Sequence, residues 1–200
     1  MIAVCVPTKG RPEKLKNFLD SLPDIPVYIY HHSDDKESFP KDNHNIYFGD
    51  LSIIKANNFL IKKAYQDNHD VSILVATDDI IYEPECITNV QKAVDEDDTK
   101  LYGLKCLNMV CNDDAYVCIS NEIVRETGGS PYNEEYYHFY ADTELGETYK
   151  AKGKFEKINA EYTNMHPSVT GNPDDTHTHN RSYKLIHDKG IYENRNLLHR

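Results

Sequence analysis

The run VSILVATDDIIYEPE, residues 71–85, decides how this chain is read. A short apolar segment, Val71 to Ala76, leads through Thr77 into two adjacent acids, Asp78 and Asp79. Apolar runs of this length, bounded by polar residues, read as strands buried on both faces, as in a parallel sheet. Charge at the end of such a strand is costly unless something binds it. The pair therefore either seats a cation or punctuates a solvated turn.

The same grammar extends in both directions. Upstream, IAVCVP (Ile2–Pro7) is a buried strand. A helix follows in RPEKLKNFLDSLPD, with Leu15, Phe18, Leu19 and Leu22 at helical spacing and Pro12 in the first turn. PVYIYHH (Pro26–His32) is a second strand, ending in a polar loop. A second helix runs from about Leu51 to Gln66, with Leu51, Ile54, Ile61 and Tyr65 on one face. Residues 71–77 then form the third strand. Alternating strands and helices of this kind specify a parallel α/β sheet covered on both faces. Ligands of such sheets bind beyond the carboxyl ends of the strands. Here those ends are PTKGR, HHSDD and TDDIIYE, all polar and expected to line one crevice.

Downstream, PECITNVQKAVDEDD reads as a helix, and KLYGLKCLNMVC and AYVCIS as two strands around the turn NDD. A short helix, NEIVRETGG, stops at paired glycines. ADTELGETYKAKGK is a helix ending at Gly153, and a strand follows near Phe155–Glu161. From Met165 the chain turns polar and is expected to wrap over the site or the sheet edge. One domain over residues 1–200 is expected, with a binding half over about 1–100, a second half over 101–164 and a polar extension over 165–200.

Composition narrows the function classes. With 22 Lys and Arg against 33 Asp and Glu, the formal charge is −11. Generic binding to nucleic acid or anionic membrane needs the opposite balance. No apolar run approaches the roughly 20 residues of a membrane span, and MIAVCVPTKG lacks the marks of a signal peptide, so a cytoplasmic location is expected. The five cysteines lack CxxC spacing and read as reduced thiols.

Four segments in order resemble the GT-A glycosyltransferases, nucleotide-sugar enzymes with a Rossmann-like fold. VCVPTKGRPEKLKNFLDSL resembles their opening strand, loop and helix, and SIIKANNFLIKKA the segment carrying the family's asparagine, here Asn58. ILVATDDIIYEPE resembles the metal-binding DxD region. CISNEIVRETGGSPYNEEYYHFYADTELGETYKAKGK resembles the acceptor-side block. The resemblance covers about residues 2–160 and matches a small stand-alone, family-2-like form. It departs at Asn57, Ala141 and Thr148, where the family usually carries Arg, Glu and Arg.

The resemblance implies a mostly parallel central sheet flanked by helices, with a smaller acceptor-side subregion. It also implies divalent-metal-dependent transfer, inverting, from a nucleotide-sugar, UDP-linked above all. A diphosphate leaving group concentrates charge that Mn²⁺ or Mg²⁺ neutralises, and carboxylates suit those ions. Because side chains alternate along a strand, Asp79 is expected to ligate the metal, with Asp78 reaching the ribose or a metal-bound water. His166 is a second candidate ligand. Pro7, Thr8, Lys9 and Arg11 would line the nucleotide pocket, and Asp34 or Asp35 would accept from the base. Lys55 and Asn58 are weaker donor-side candidates.

Asp142 is the expected general base, with helix capping as its alternative role, and Glu144 stands behind it. His177 and His179 share a face if extended, but a solvated tail explains them better. The acceptor is open among glycan, protein and modified DNA base. A relative that binds nucleotide-sugar or glycan without turnover is the second function class, and a nucleotidyltransferase on a similar sheet the third.

Overall fold

The computed structural model describes residues 1–32, 44–108, 115–166 and 181–198. Its elements are β1 (Ile2–Thr8), α1 (Pro12–Asp20), β2 (Val27–His32), β3 (Asn45–Gly49), α2 (Ile53–Asp67), β4 (Ser72–Val75) and β5 (Ile80–Tyr82). They continue with α3 (Cys86–Glu96), β6 (Leu101–Cys106), β7 (Val117–Ile119), α4 (Asn121–Glu126), α5 (Ala141–Ala151), β8 (Phe155–Asn164) and α6 (Arg181–Leu198).

The strands form one sheet in the order β3-β2-β1-β4-β7-β6-β8-β5. β3, β2, β1 and β4 are mutually parallel. β7 runs antiparallel between β4 and β6, β8 is parallel to β6, and β5 closes the edge antiparallel to β8. The sheet is thus mixed, with its parallel half carrying the first two polar loops and the paired acids.

Period-two alternation sorts the strand residues onto two cores. Ala3, Cys5, Tyr28, Tyr30, Ile73 and Val75 face a layer that includes α2, α4 and α5. Ile2, Val4, Val6, Val27, Ile29 and Leu74 face the layer of α1 and α3. Burial on both faces is why these strands are apolar at consecutive positions. Cys5, Cys86 and Cys118 are buried free thiols. Burial pushes Cys86 up to about 12 and the other two higher still, so none is a reactive thiolate at neutral pH.

The expected elements are present, with shifts of a few residues at their ends. Leu51 does not join the α2 face. Ser52 caps that helix, accepting from the Lys55 N–H (3.5 Å), and Leu51 lies outside it, exposed. The polar tail is also more than a wrap, because residues 181–198 form α6, whose Ile191 and Tyr192 pack against the core. His177 and His179 lie outside the described residues. No described helix is long and apolar enough to cross a membrane.

The paired glycines after α4 are a test of this packing. Gly129 donates its N–H to the Val124 carbonyl (2.8 Å) at φ +78°, and a Cβ there would lie 2.8 Å from the Lys62 Cα of α2. Gly153 has φ +68° with open space around it. Gly153→Ala should therefore cost about 1–2 kcal/mol of left-handed strain, and Gly129→Ala distinctly more. Thermal melts of the two variants check the difference.

Candidate active site

The loops after β1 and β4 meet because those strands are parallel neighbours, in register from Ile2↔Ser72 to Cys5↔Val75. Beyond Cys5 and Val75 each chain turns polar. Thr8, the last residue of β1, donates its hydroxyl to Asp78 Oδ2 (2.5 Å). Arg11, at the N-cap position of α1, ion-pairs through Nη2 with Asp78 Oδ1 and through Nη1 with Asp79 Oδ2 (3.3 Å). Thr77 Oγ1 donates to Asp79 Oδ1 (2.5 Å). Its one hydrogen is thereby committed, so the Tyr116 hydroxyl, 3.0 Å away, is the donor to Thr77.

Strand alternation does not separate the two acids. It holds only for extended chain, and Asp78–Asp79 form a turn between β4 and β5. The turn brings both carboxylates onto one guanidinium. All three charged residues are buried: Asp78 is 1% exposed, Asp79 5% and Arg11 9%. Burial pushes the Asp78 carboxyl up to about 6, opposed by Arg11 and the Thr8 hydroxyl.

His166 belongs to the same neighbourhood. β8 runs antiparallel to β5 with Asn164 opposite Ile80, and Met165, one residue further, donates its N–H to the Asp79 carbonyl (2.7 Å). The His166 N–H is held by Asn164 Oδ1 (2.7 Å). Pro7 is buried in β1, whereas Lys9 is exposed on the loop after it. His31, at the end of β2, is buried and stacks on Phe48 of β3, with ring centroids 5.3 Å apart. Asp34 and Asp35 lie outside the described residues.

Other candidates take different places. Lys55 is exposed on α2. Asn58 is buried, and its amide clamps the Tyr132–Glu134 segment. It donates to the Tyr132 carbonyl (2.8 Å) and Glu134 Oε1 (3.1 Å) and accepts from the Tyr132 N–H (3.1 Å). Both of its amide hydrogens are engaged there, so it positions a loop rather than facing the acids after β4. Asp142 lies in the first turn of α5, two residues past the N-cap position, which Tyr140 occupies. Its Oδ1 accepts the Thr143 N–H (2.8 Å). Glu144 pairs with Arg195 Nε of α6 (2.8 Å).

α6 supplies what sequence reasoning missed on this side. Asp188, fully buried, accepts the backbone N–H groups of Tyr137, His138 and Phe139 at 2.8–2.9 Å. Tyr192 stacks on Tyr140, with centroids 4.9 Å apart. Tyr140 is the one non-glycine residue at positive φ (+64°) among those described. A left-handed tyrosine persists only where its surroundings over-determine it, and Asp188 and Tyr192 provide that. Together they set where α5 begins and so where Asp142 stands. The available signal was the face Asp188, Ile191, Tyr192 and Arg195, spaced as a helix but too polar to read as a core stripe.

Asp78 and Asp79 offer hard oxygens of the kind Mg²⁺ and Mn²⁺ prefer. Among the described residues no group of three or more His, Cys, Asp or Glu is arranged to hold a metal. A cation here would complete its shell with oxygens brought by a ligand, as Mg²⁺ does with substrate phosphates. On that basis the donor set fits.

No protein-family model and no curated protein matches the chain. Solved structures do. Residues 1–349 of Staphylococcus aureus TarS superpose with a TM-score of 0.60 at 13% identity, covering 84% of this chain and 61% of that one. The same protein in complex with UDP gives 0.57 at 12% identity, covering 82% and 57%. In complex with UDP-GlcNAc it gives 0.57 at 12% identity, covering 82% and 56%. The chain has the GT-A-like glycosyltransferase fold. It spans about three fifths of the TarS 1–349 chain, so the likeness gives no support to a small stand-alone form.

Two consequences of the Asp188 geometry are measurable. Asp188→Ala leaves three part-buried N–H groups without their acceptor and should destabilise the chain by about 1–3 kcal/mol, with Asp188→Asn milder. The backbone donors, together with the His187 side chain, hold the Asp188 carboxyl below its ordinary value against the opposing effect of burial. A depressed folded pKa means stability that is complete above the normal carboxylate range and lost as pH falls through the folded value. Acid melts of the wild type should show this loss, and melts of Asp188→Asn should show less of it.

Proposed function

We propose that this chain transfers a sugar from a nucleotide-sugar donor, UDP-linked, to an acceptor hydroxyl, with inversion at the anomeric carbon. The observation that carries the reading is the Thr8–Arg11–Asp78–Asp79 cluster at the adjoining ends of β1 and β4. That is the crevice where open α/β sheets bind ligands. The likeness to a protein solved with UDP and UDP-GlcNAc supports the choice of donor.

In this reading Asp79, with His166 beside it, holds a Mn²⁺ or Mg²⁺ ion that supplies positive charge to the departing diphosphate. Pro7, Thr8 and Lys9 border the nucleotide, and Asp34 or Asp35 accepts from the base. Asp142 takes the acceptor proton as that oxygen bonds to the anomeric carbon. The bond from that carbon to the phosphate oxygen breaks, and its electrons leave with the diphosphate. Glu144, engaged with Arg195, supports the start of α5 instead of acting as a base. A binding module without turnover is the second reading, favoured by Ala141 and by the pairing of Glu144.

UDP-GlcNAc with Mn²⁺ is the first test, read by calorimetry and by UDP release. Donor binding is expected, and Asp79→Ala should abolish it. Asp142→Asn should keep donor binding and lose turnover by about 10²–10⁴-fold. Binding without turnover in the wild type selects the module. No binding of UDP or UDP-GlcNAc with Mn²⁺ overturns the UDP-sugar transferase and the nucleotide-sugar-binding form of the module.

A further inference from the structure

Arg11 occupies an unexpected position for its residue type. It stands at the N-cap of α1 and makes no side-chain cap there, where Ser, Thr, Asp or Asn would stabilise the helix by about 1 kcal/mol. A cation at a helix N-terminus is also on the wrong end of the dipole. Its side chain instead reaches Asp78 and Asp79 and fills the space between them.

Three features of that contact set its role. One positive charge faces two carboxylates, so Arg11, Asp78 and Asp79 together carry net negative charge when both acids are ionised. Three of the four carboxylate oxygens accept a hydrogen bond, from Thr8 on Asp78 and from Thr77 and Arg11 on Asp79, and the fourth, Asp78 Oδ1, is ion-paired with Arg11. Lastly, Arg11 Nε is buried with no acceptor among the described residues. A buried unsatisfied donor is costly, and a guanidinium with a free edge is shaped for phosphate oxygens.

We propose that Arg11 is an exchangeable counter-ion: it holds Asp78 and Asp79 together in the cation-free site and turns onto the donor diphosphate when a divalent cation takes the carboxylates. This rests on the metal–diphosphate reading given above. The 3.3 Å contact to Asp79 is the longer of the two ion pairs and the first to open. Exchange of one positive charge for two neutralises the pair of carboxylates and frees a guanidinium within reach of the incoming phosphates. Cation and nucleotide therefore bind with positive coupling, each strengthening the other.

The effects on the two ligands are opposite in sign, which makes the idea testable without an acceptor. Calorimetry would measure Mn²⁺ alone, then UDP at saturating Mn²⁺, on the full chain and on Arg11→Met. With its internal competitor gone, the variant should bind Mn²⁺ alone at least tenfold more tightly than wild type. UDP at saturating Mn²⁺ should bind it at least tenfold more weakly. Its melting temperature should fall in EDTA and recover with Mn²⁺, and Arg11→Lys should bind Mn²⁺ alone much as wild type does.

A folded Arg11→Met that binds Mn²⁺ no more tightly than wild type overturns the exchange, while wild type still taking up Mn²⁺ and UDP together leaves the metal reading standing. UDP bound equally well by wild type in EDTA and in Mn²⁺ overturns the metal reading and the exchange with it.

Discussion

The contact on which the site depends is the guanidinium of Arg11 set between the carboxylates of Asp78 and Asp79. It joins the loop after β1 to the turn after β4, two segments that the parallel pairing of those strands brings side by side. Two buried carboxylates in adjacent positions repel, and without a cation between them the turn would open toward water. Thr8, Thr77 and Tyr116 complete the arrangement by fixing which way each carboxylate points. A buried ion cluster is a weak source of net stability, since well-packed apolar side chains of similar volume often serve as well. Its presence where the fold binds ligands is better explained by the charge it holds ready.

A second constraint works where α2 and α6 meet the segment leading into α5. Asn58 ties α2 to the Tyr132–Glu134 segment, and Asp188 gathers three successive N–H groups just beyond it. Between these two clamps the chain has little freedom, and it enters α5 through a left-handed Tyr140. The Tyr132–Tyr140 segment is thus positioned in part by polar groups that reach across from other elements. β1, β2 and β4 are positioned by apolar packing against α1, α2 and α3.

This difference explains what sequence reading could reach. β1, β2 and β4 stand out because burial on both faces makes consecutive residues apolar, and α1, α2 and α3 because one helical face does. β3 was hidden: Asn45–Gly49 lies at the sheet edge, where Asn45 and Phe48 are exposed and the rest half-buried. β5 is three residues long, too short for any period to show. α6 escaped because its docked face mixes Asp188 and Arg195 with Ile191 and Tyr192. Asp78, Asp79, Thr8 and Arg11 were found as candidates, but through strand ends and motif resemblance, neither of which describes their mutual contact.

The sequence alone determined the alternation of strands and helices, the polar ends of the parallel strands and the presence of acids after β4. These follow from local patterns of burial, which repeat every two residues in a strand and every 3.6 in a helix. Only the tertiary structure decided that Asp78 and Asp79 share one arginine, that Asn58 holds a loop, and that α6 sets the start of α5. Such contacts join residues 49–76 positions apart through single hydrogen bonds or ion pairs, and no local period records where a polar side chain will find its partner.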